Sequence, residues 1–418
     1  MGIFRPSSSC GKLSHLAVML CVLSCAAQAL TPGKHHKRTT KNAGAGHTPS
    51  AHSASRVRGT HGKSTTSSVR VAAASRRHHG RTLTARGKRH VWVQTWDEPT
   101  YANSTAGDNV EGEDLNIRRA AVDALGPYNG SIVVADPNTG RVLTIVNQKL
   151  ALGAGFQPCS TIKLTVALAG LKENLVQQPA ILRVTHRPSM DLTQAIARSN
   201  NFYFATLGQK LGYDRVAYYA HQFGYGEKAG LNIAGEQPGY FPPAPPKNGG
   251  VGMLTSFGEE IQQTPLELTA LVSAIANGGK LYYLQYPHTE DEIKNFQPKL
   301  KRTLEIGPFI ESIKPGMQGA VEFGTARRAK QDETILGKTG TCSQGRTRLG
   351  WFGSYNEAGP RKLVVVVMLT GGRPSIGPMA AGVAGDVYRN LTDNKVLSMD
   401  KPVRPDSLVA TQICCGAH

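Results

Sequence analysis

Strand-like runs stand at both ends of the apolar part of this chain, with helical patterns between them. Near the start, residues 130–146 read GSIVVADPNTGRVLTIV, two β-branched runs around an Asp-Pro-Asn-Thr-Gly turn. Near the end, residues 361–372 read RKLVVVVMLTGG, an unbroken apolar run of strand length, and MAAGVAGDVYRNL closes the pattern as a helix. Apolar residues at helical spacing fill NIRRAAVDALG, which ends at Gly126, and TIKLTVALAGL, which Gly170 is expected to close. DLTQAIARSNNFYFATLGQKLG reads as helix with a break near Ser199, and PLELTALVSAIANGG as a helix with glycine past its end. FPPAPPKNGG must be loop. A chain that opens with helix and hairpin, closes with strands and helix, and is helical between is α+β with a split sheet. No internal repeat appears.

Composition matters chiefly through its unevenness. The formal net charge is +19, but 16 of the 48 Lys and Arg precede Asp97, where no Asp or Glu occurs. The other 32 face all 29 acids, so the basic charge belongs to a segment and nucleic acid is not an expected partner of the folded body. Residues 1–29 read as a signal peptide: Arg5 and Lys12, the run LSHLAVMLCVLSCAA, then Ala27-Gln28-Ala29. An uncleaved anchor and lipid attachment at Cys25 are the alternatives. Residues 30–95 are rich in Ser, Thr, Gly, His, Arg and Lys and read as a disordered basic linker able to touch an anionic envelope surface. Its pairs His35-His36 and His78-His79 read as solvated rather than metal-binding. The remaining divisions are a catalytic body at 96–395 and a tail at 396–418. Export to a periplasm or envelope would let Cys159, Cys342, Cys414 and Cys415 form disulfides; Cys414 and Cys415 have no physical account.

Three short segments carry chemistry. In PCSTIKL, Ser160 and Lys163 stand i and i+3 on a helix start and share a face. Free N–H groups and the helix dipole there favour an oxyanion, and a neutral lysine could take the serine proton. Burial and nearby cations would favour that neutral form. The plain alternative for Ser160 is a helix N-cap, and Ser9 to Lys12 repeats the spacing without meaning. Ser199-Asn200-Asn201 follows 39 residues on, a hydroxyl and an amide at alternate positions of a turn. Ser354-Tyr355-Asn356 repeats that form, but in a turn expected after the third segment. That third segment, GKTGT at 337–341, reads as a strand, with Lys338 and Gly340 on one face. Gly340 would leave room for a substrate, and Lys338 with the Thr339 and Thr341 hydroxyls would suit a carboxylate. No cofactor or metal is expected.

Together and in this order, Ser-x-x-Lys, Ser-x-Asn and Lys-Thr-Gly resemble the signature of penicillin-binding proteins and class A β-lactamases. FGYGEKAGLNIAGEQPG, QTPLELTALVSAIANGG and ILGKTGT…GWFGSY are similar to further segments of penicillin-binding transpeptidase domains, and the likeness covers roughly residues 115–392. The resemblance implies an antiparallel sheet flanked by helices plus a helical subdomain. It implies Ser160 as acylated nucleophile, Lys163 as its base, Ser199 and Asn201 in proton transfer and positioning, and Lys338, Thr339, Gly340 and Thr341 at the substrate carboxylate. Backbone N–H groups of Ser160 and Thr341 would form the oxyanion hole. The partners implied are peptidoglycan stem peptides ending in D-Ala-D-Ala and β-lactam antibiotics.

The gap from Ser160 to Ser199 is shorter than the family pattern, so helices between them are expected to be trimmed. Neither a glycosyltransferase domain nor the pedestal of class B proteins is expected. Some class A carbapenem-hydrolysing β-lactamases join cysteines at the positions of Cys159 and Cys342, which implies a disulfide here; two free thiols are the alternative. The Glu-x-x-Leu-Asn segment of class A deacylation is missing, and Glu236 falls in the Gly-Glu-x-x-Gly segment of transpeptidases. The leading expectation is therefore a D,D-transpeptidase or D,D-carboxypeptidase. A β-lactamase, and a β-lactam sensor or scaffold without turnover, remain the alternatives.

Overall fold

A computed structural model describes residues 96–176 and 190–398 of the chain. The signal expected at 1–29, the linker at 30–95 with its histidine pairs, Cys414 and Cys415 lie outside the described residues.

Asp114 caps helix α1 (Leu115–Leu125) by accepting from the N–H groups of Asn116 and Ile117. Strands β1 (Gly130–Ala135) and β2 (Val142–Val146) form the hairpin. Its turn is closed by Asp136, whose carboxylate accepts from Asn138 N–H and the Thr139 hydroxyl. After α2 (Gln148–Leu152), a single 3₁₀ turn at Cys159–Thr161 leads into α3 (Ile162–Lys172). Then come α4 (Leu192–Ala197), α5 (Asn201–Leu211), α6 (Tyr213–Gln222), α7 (Gly250–Phe257) and α8 (Pro265–Ala276). Strands β3 (Lys280–Tyr282) and β4 (Leu300–Thr303) form a small sheet around α9 (Glu290–Lys294). Finally α10 (Gly307–Glu322) precedes β5 (Ile335–Gln344), β6 (Thr347–Asn356), β7 (Val364–Gly371) and α11 (Gly377–Asp393). Among the described residues no helix is long and apolar enough to cross a membrane.

The main sheet is antiparallel with order β2-β1-β7-β6-β5. The opening hairpin and the closing strands meet at β1 and β7, from Gly130 opposite Leu369 to Ala135 opposite Val364. Side chains alternate across a strand, and β7 divides its run accordingly. Val364, Val366 and Met368 join the core shared with Leu268 and Val272 of α8. Val365, Val367 and Leu369 join the core made with Ile117 of α1 and Ala384 and Val387 of α11. Helices on both faces explain why the run is apolar throughout rather than alternating.

The local reading needs correction in three places. Gly170 does not end α3, which continues to Lys172; a Cβ there would lie 2.9 Å from Leu207, so the glycine lets α5 pack closely. Ser354-Tyr355-Asn356 is the buried end of β6 rather than a turn, with the Ser354 hydroxyl donating to the Val365 carbonyl. Packing also continues past 395, where Val396 and Leu397 are buried against the α11 side of the sheet.

Candidate functional site

Ser160 sits in the 3₁₀ turn ahead of α3, buried but for 8 % of its surface. One turn on, Lys163 is fully buried, and its Nζ lies 3.0 Å from Ser160 Oγ. The i, i+3 spacing alone brings them together. Ser199 occupies the break between α4 and α5 in left-handed backbone, φ +54°. Asn200 ends that break by capping α5, its side chain accepting from Tyr203 N–H at 2.9 Å. The break turns the Ser199 carbonyl and hydroxyl and the Asn201 amide oxygen onto Lys163, at 2.8, 3.2 and 2.5 Å.

These contacts fix what the amine can do. The Ser199 carbonyl and the Asn201 amide oxygen only accept, so each takes one N–H of Lys163. A neutral amine then has its lone pair left for a hydroxyl, and Ser160 Oγ is within reach. Burial, and then the charge of Lys338, hold the Lys163 ammonium well below the usual lysine range.

Lys338 comes from β5, the edge strand of the sheet. It is fully buried and donates to Ser199 Oγ at 2.8 Å and to the Thr339 carbonyl at 2.8 Å. Burial pushes its ammonium down to about 7. Ser199 Oγ therefore lies between two amines and can pass a proton from one side to the other. The expected trio of carboxylate donors is only partly assembled. Lys338 faces Ser199, Thr339 Oγ1 shares a 2.6 Å hydrogen bond with Thr325 Oγ1, and Thr341 Oγ1 accepts from Gly377 N–H at 2.8 Å. Because β5 is an edge, alternate N–H groups along it point away from β6.

Gly340 corrects its expected role. A Cβ there would lie 2.8 Å from the Pro158 carbonyl oxygen and 3.3 Å from Cys159 Cβ. The glycine lets β5 press on the turn that carries Ser160, rather than leaving space for a ligand. Gly340→Ala is expected to destabilise the protein by about 1–3 kcal/mol through overpacking, read as a lower urea midpoint at unchanged m-value. An unshifted midpoint would show that the turn yields freely.

Cys159 and Cys342 flank this junction with Cα atoms 5.5 Å apart, within the span of a bridge. Sequence reasoning missed Thr325, whose hydroxyl meets Thr339 and whose N–H donates to the Ala197 carbonyl at 3.1 Å. It also missed Ser256, whose carbonyl lies 3.5 Å from Ser160 Oγ. Glu236 is buried and accepts from the N–H groups of Ala229 and Gly230 at 2.8 and 3.0 Å, a structural use of the carboxylate. Among the described residues no His, Cys, Asp and Glu cluster could hold a metal ion.

A buried serine–lysine pair, bridged by a second serine to a lysine on a sheet edge, is the arrangement that the Ser-x-x-Lys, Ser-x-Asn and Lys-Thr-Gly signature of penicillin-binding proteins and class A β-lactamases describes. The chain belongs to the penicillin-binding protein transpeptidase domain family, whose model matches residues 130–393. Stage V sporulation protein D of Bacillus subtilis is 26% identical over 309 residues, covering 64% of this chain and 48% of that protein. Peptidoglycan D,D-transpeptidase MrdA of Haemophilus influenzae is 23% identical over 378 residues, covering 70% and 58%. The chain spans about half the length of the curated relatives it matches. Among solved structures, Pseudomonas aeruginosa PBP2 in complex with WCK 5153 aligns with TM-score 0.57 at 25% identity, over 69% of this chain and 79% of that one. The D,D-transpeptidase domain of a peptidoglycan glycosyltransferase from Eggerthella lenta shares the fold, with TM-score 0.51 at 20% identity over 68% and 82%.

Proposed function

We propose that this protein is a serine D,D-transpeptidase or D,D-carboxypeptidase acting on peptidoglycan stem peptides that end in D-Ala-D-Ala. The observation that carries the reading is Lys163 Nζ, 3.0 Å from Ser160 Oγ, with two N–H groups committed to Ser199 and Asn201. Lys338, with Thr339 and Thr341, holds the terminal carboxylate. Neutral Lys163 takes the Ser160 proton as Oγ bonds to the penultimate carbonyl carbon, and the oxyanion rests on the N–H groups of Ser160 and Thr341. The C–N bond then breaks, and Ser199 relays the proton from Lys163 to the departing D-Ala amine. A second amine, or water, resolves the ester by the same path in reverse. A β-lactam would acylate the same serine.

We infer further that Cys159 and Cys342 are joined as a disulfide; the support is their placement together with the export signal read in residues 1–29. Export also places the protein in a periplasm or cell envelope, with the basic segment 30–95 against an anionic surface. The support for that contact is charge alone.

The deciding experiment follows a fluorescent penicillin on the protein over time. A label that forms and persists is expected, because Glu236 is engaged in structure rather than in water activation. A label that vanishes while hydrolysed drug accumulates would make the protein a β-lactamase and overturn the reading.

A further inference from the structure

Thr325 follows α10 in a segment that the backbone holds at three successive residues. The N–H groups of Gly324, Thr325 and Ala326 donate to the carbonyls of Gly319, Ala197 and Ala320 at 2.9, 3.1 and 2.8 Å. A Cβ on Gly324 would lie 2.1 Å from the Ala197 carbonyl oxygen, so the glycine lets this segment press against the end of α4. Thr325 is half-buried, and its Oγ1 lies 2.6 Å from Oγ1 of the buried Thr339. It thus ties the approach to Ser199 to the strand that carries Lys338. Two residues along the same face of β5, Thr341 Oγ1 accepts from Gly377 N–H at 2.8 Å.

A carboxylate only accepts, so a hydroxyl that holds one must have its own proton uncommitted. Thr341 meets that condition: its oxygen takes the Gly377 N–H, and its proton has no acceptor among the described residues. Thr339 meets it only when Thr325 is the donor of their shared bond. We propose that Thr325 is a positioning residue that donates to Thr339 Oγ1, turns the Thr339 proton toward the terminal carboxylate of the substrate, and so sets the preference for a substrate that carries one. This rests on the acyl-transfer reading above. A hydroxyl that accepts also becomes a stronger donor, so the bond both aims and strengthens. The plainer account is that the Thr325 hydroxyl only fastens its segment to β5. The three backbone bonds hold that segment without the hydroxyl, and a loosened seam would slow all substrates alike.

The test compares two donors, an N-acylated D-alanyl thioester of thioglycolic acid and the same thioester with its carboxyl group methylated. The readout is the ratio of their kcat/KM values, followed by thiol release. The wild type is expected to favour the free carboxylate. Thr325→Val keeps the shape and the backbone bonds, and it should lower that preference about tenfold, as for a lost hydrogen bond to a charged group. The loss should fall on the carboxylate donor and spare the methylated one. Thr325→Ser should retain the preference, and Thr325→Ala gives a second variant with the loss expected of valine. On a Thr339→Val background, Thr325→Val should change the ratio no further, since one residue acts through the other. A ratio that Thr325→Val and Thr325→Ala leave unchanged, a wild type that does not distinguish the donors, or an equal further loss on the Thr339→Val background overturns the proposal. A wild type that releases neither thiol and takes no covalent penicillin label would instead sink the acyl-transfer reading itself, and labelling tells the two failures apart.

Discussion

Ser160→Ala is expected to take no covalent label from a fluorescent penicillin, and Lys163→Met to be labelled about 10²–10⁴-fold more slowly than the wild type. Methionine keeps most of the lysine volume, so the loss would report proton transfer rather than a cavity. It leaves the Ser199 carbonyl and the Asn201 amide oxygen without their shared donor. That costs about 1–3 kcal/mol of stability, and thermal unfolding of the variant separates this cost from the kinetic one. The pH profile gives a second check. Acylation needs Lys163 neutral and Lys338 charged. Repulsion from Lys338 adds to burial in lowering Lys163, whereas burial alone lowers Lys338 to about 7. The second-order acylation rate of the free enzyme should therefore rise with pH as Lys163 loses its proton. It should fall above about 7 as Lys338 loses its own. In Lys163→Met the rising limb should be gone. A rising limb that persists in that variant would assign the base to another group.

The second large effect concerns Cys159 and Cys342. They are 183 residues apart in sequence. Closing a loop of that size stabilises a chain by up to about 5 kcal/mol, by reducing the freedom of the unfolded state. For a domain of this size that corresponds to at most about 8 °C in melting temperature. Cys159→Ser, Cys342→Ser and reduced wild type should all melt lower by a similar amount, and reduction should add nothing to either variant. Acylation should slow as well, because the bond joins the residue before Ser160 to the residue after Thr341. Non-reducing peptide mapping that found both thiols free would rule out the bond, and unchanged melting on reduction would show that it carries no stability.

The convergence of Ser160, Lys163, Ser199, Asn201 and Lys338 was legible because short-range rules place most of it. Helical spacing aligns Ser160 with Lys163, and the Asn200 cap defines the turn that aims Ser199. That Lys338 joins them was legible only through the resemblance of the three segments together to the penicillin-binding signature. Thr325 and the Ser256 carbonyl were not legible, since each acquires its partner only when distant elements pack. Gly340 was visible as a glycine, but its neighbour Pro158 was not, so its purpose was misread. Ser354-Tyr355-Asn356 marks the limit from the other side. The letters repeat a functional motif, yet neighbouring strands bury them and Ser354 is spent on Val365. For the fold, hairpin, helices and closing strands followed from apolar patterning. The side-by-side register of β1 and β7 did not, because nothing local in either strand specifies the other.

That register bears on how the chain is made. The β1–β2 hairpin is synthesised more than two hundred residues before β7, the strand that covers its inner edge. Until β7 emerges, β1 presents an apolar strand with one row of backbone groups unpaired, the kind of edge that recruits other chains. The fold cannot close progressively from its start, and contacts of such long sequence separation slow the final step. A polypeptide held unfolded until its last strand is available would avoid that hazard, so the order of strands favours assembly after synthesis over assembly during it.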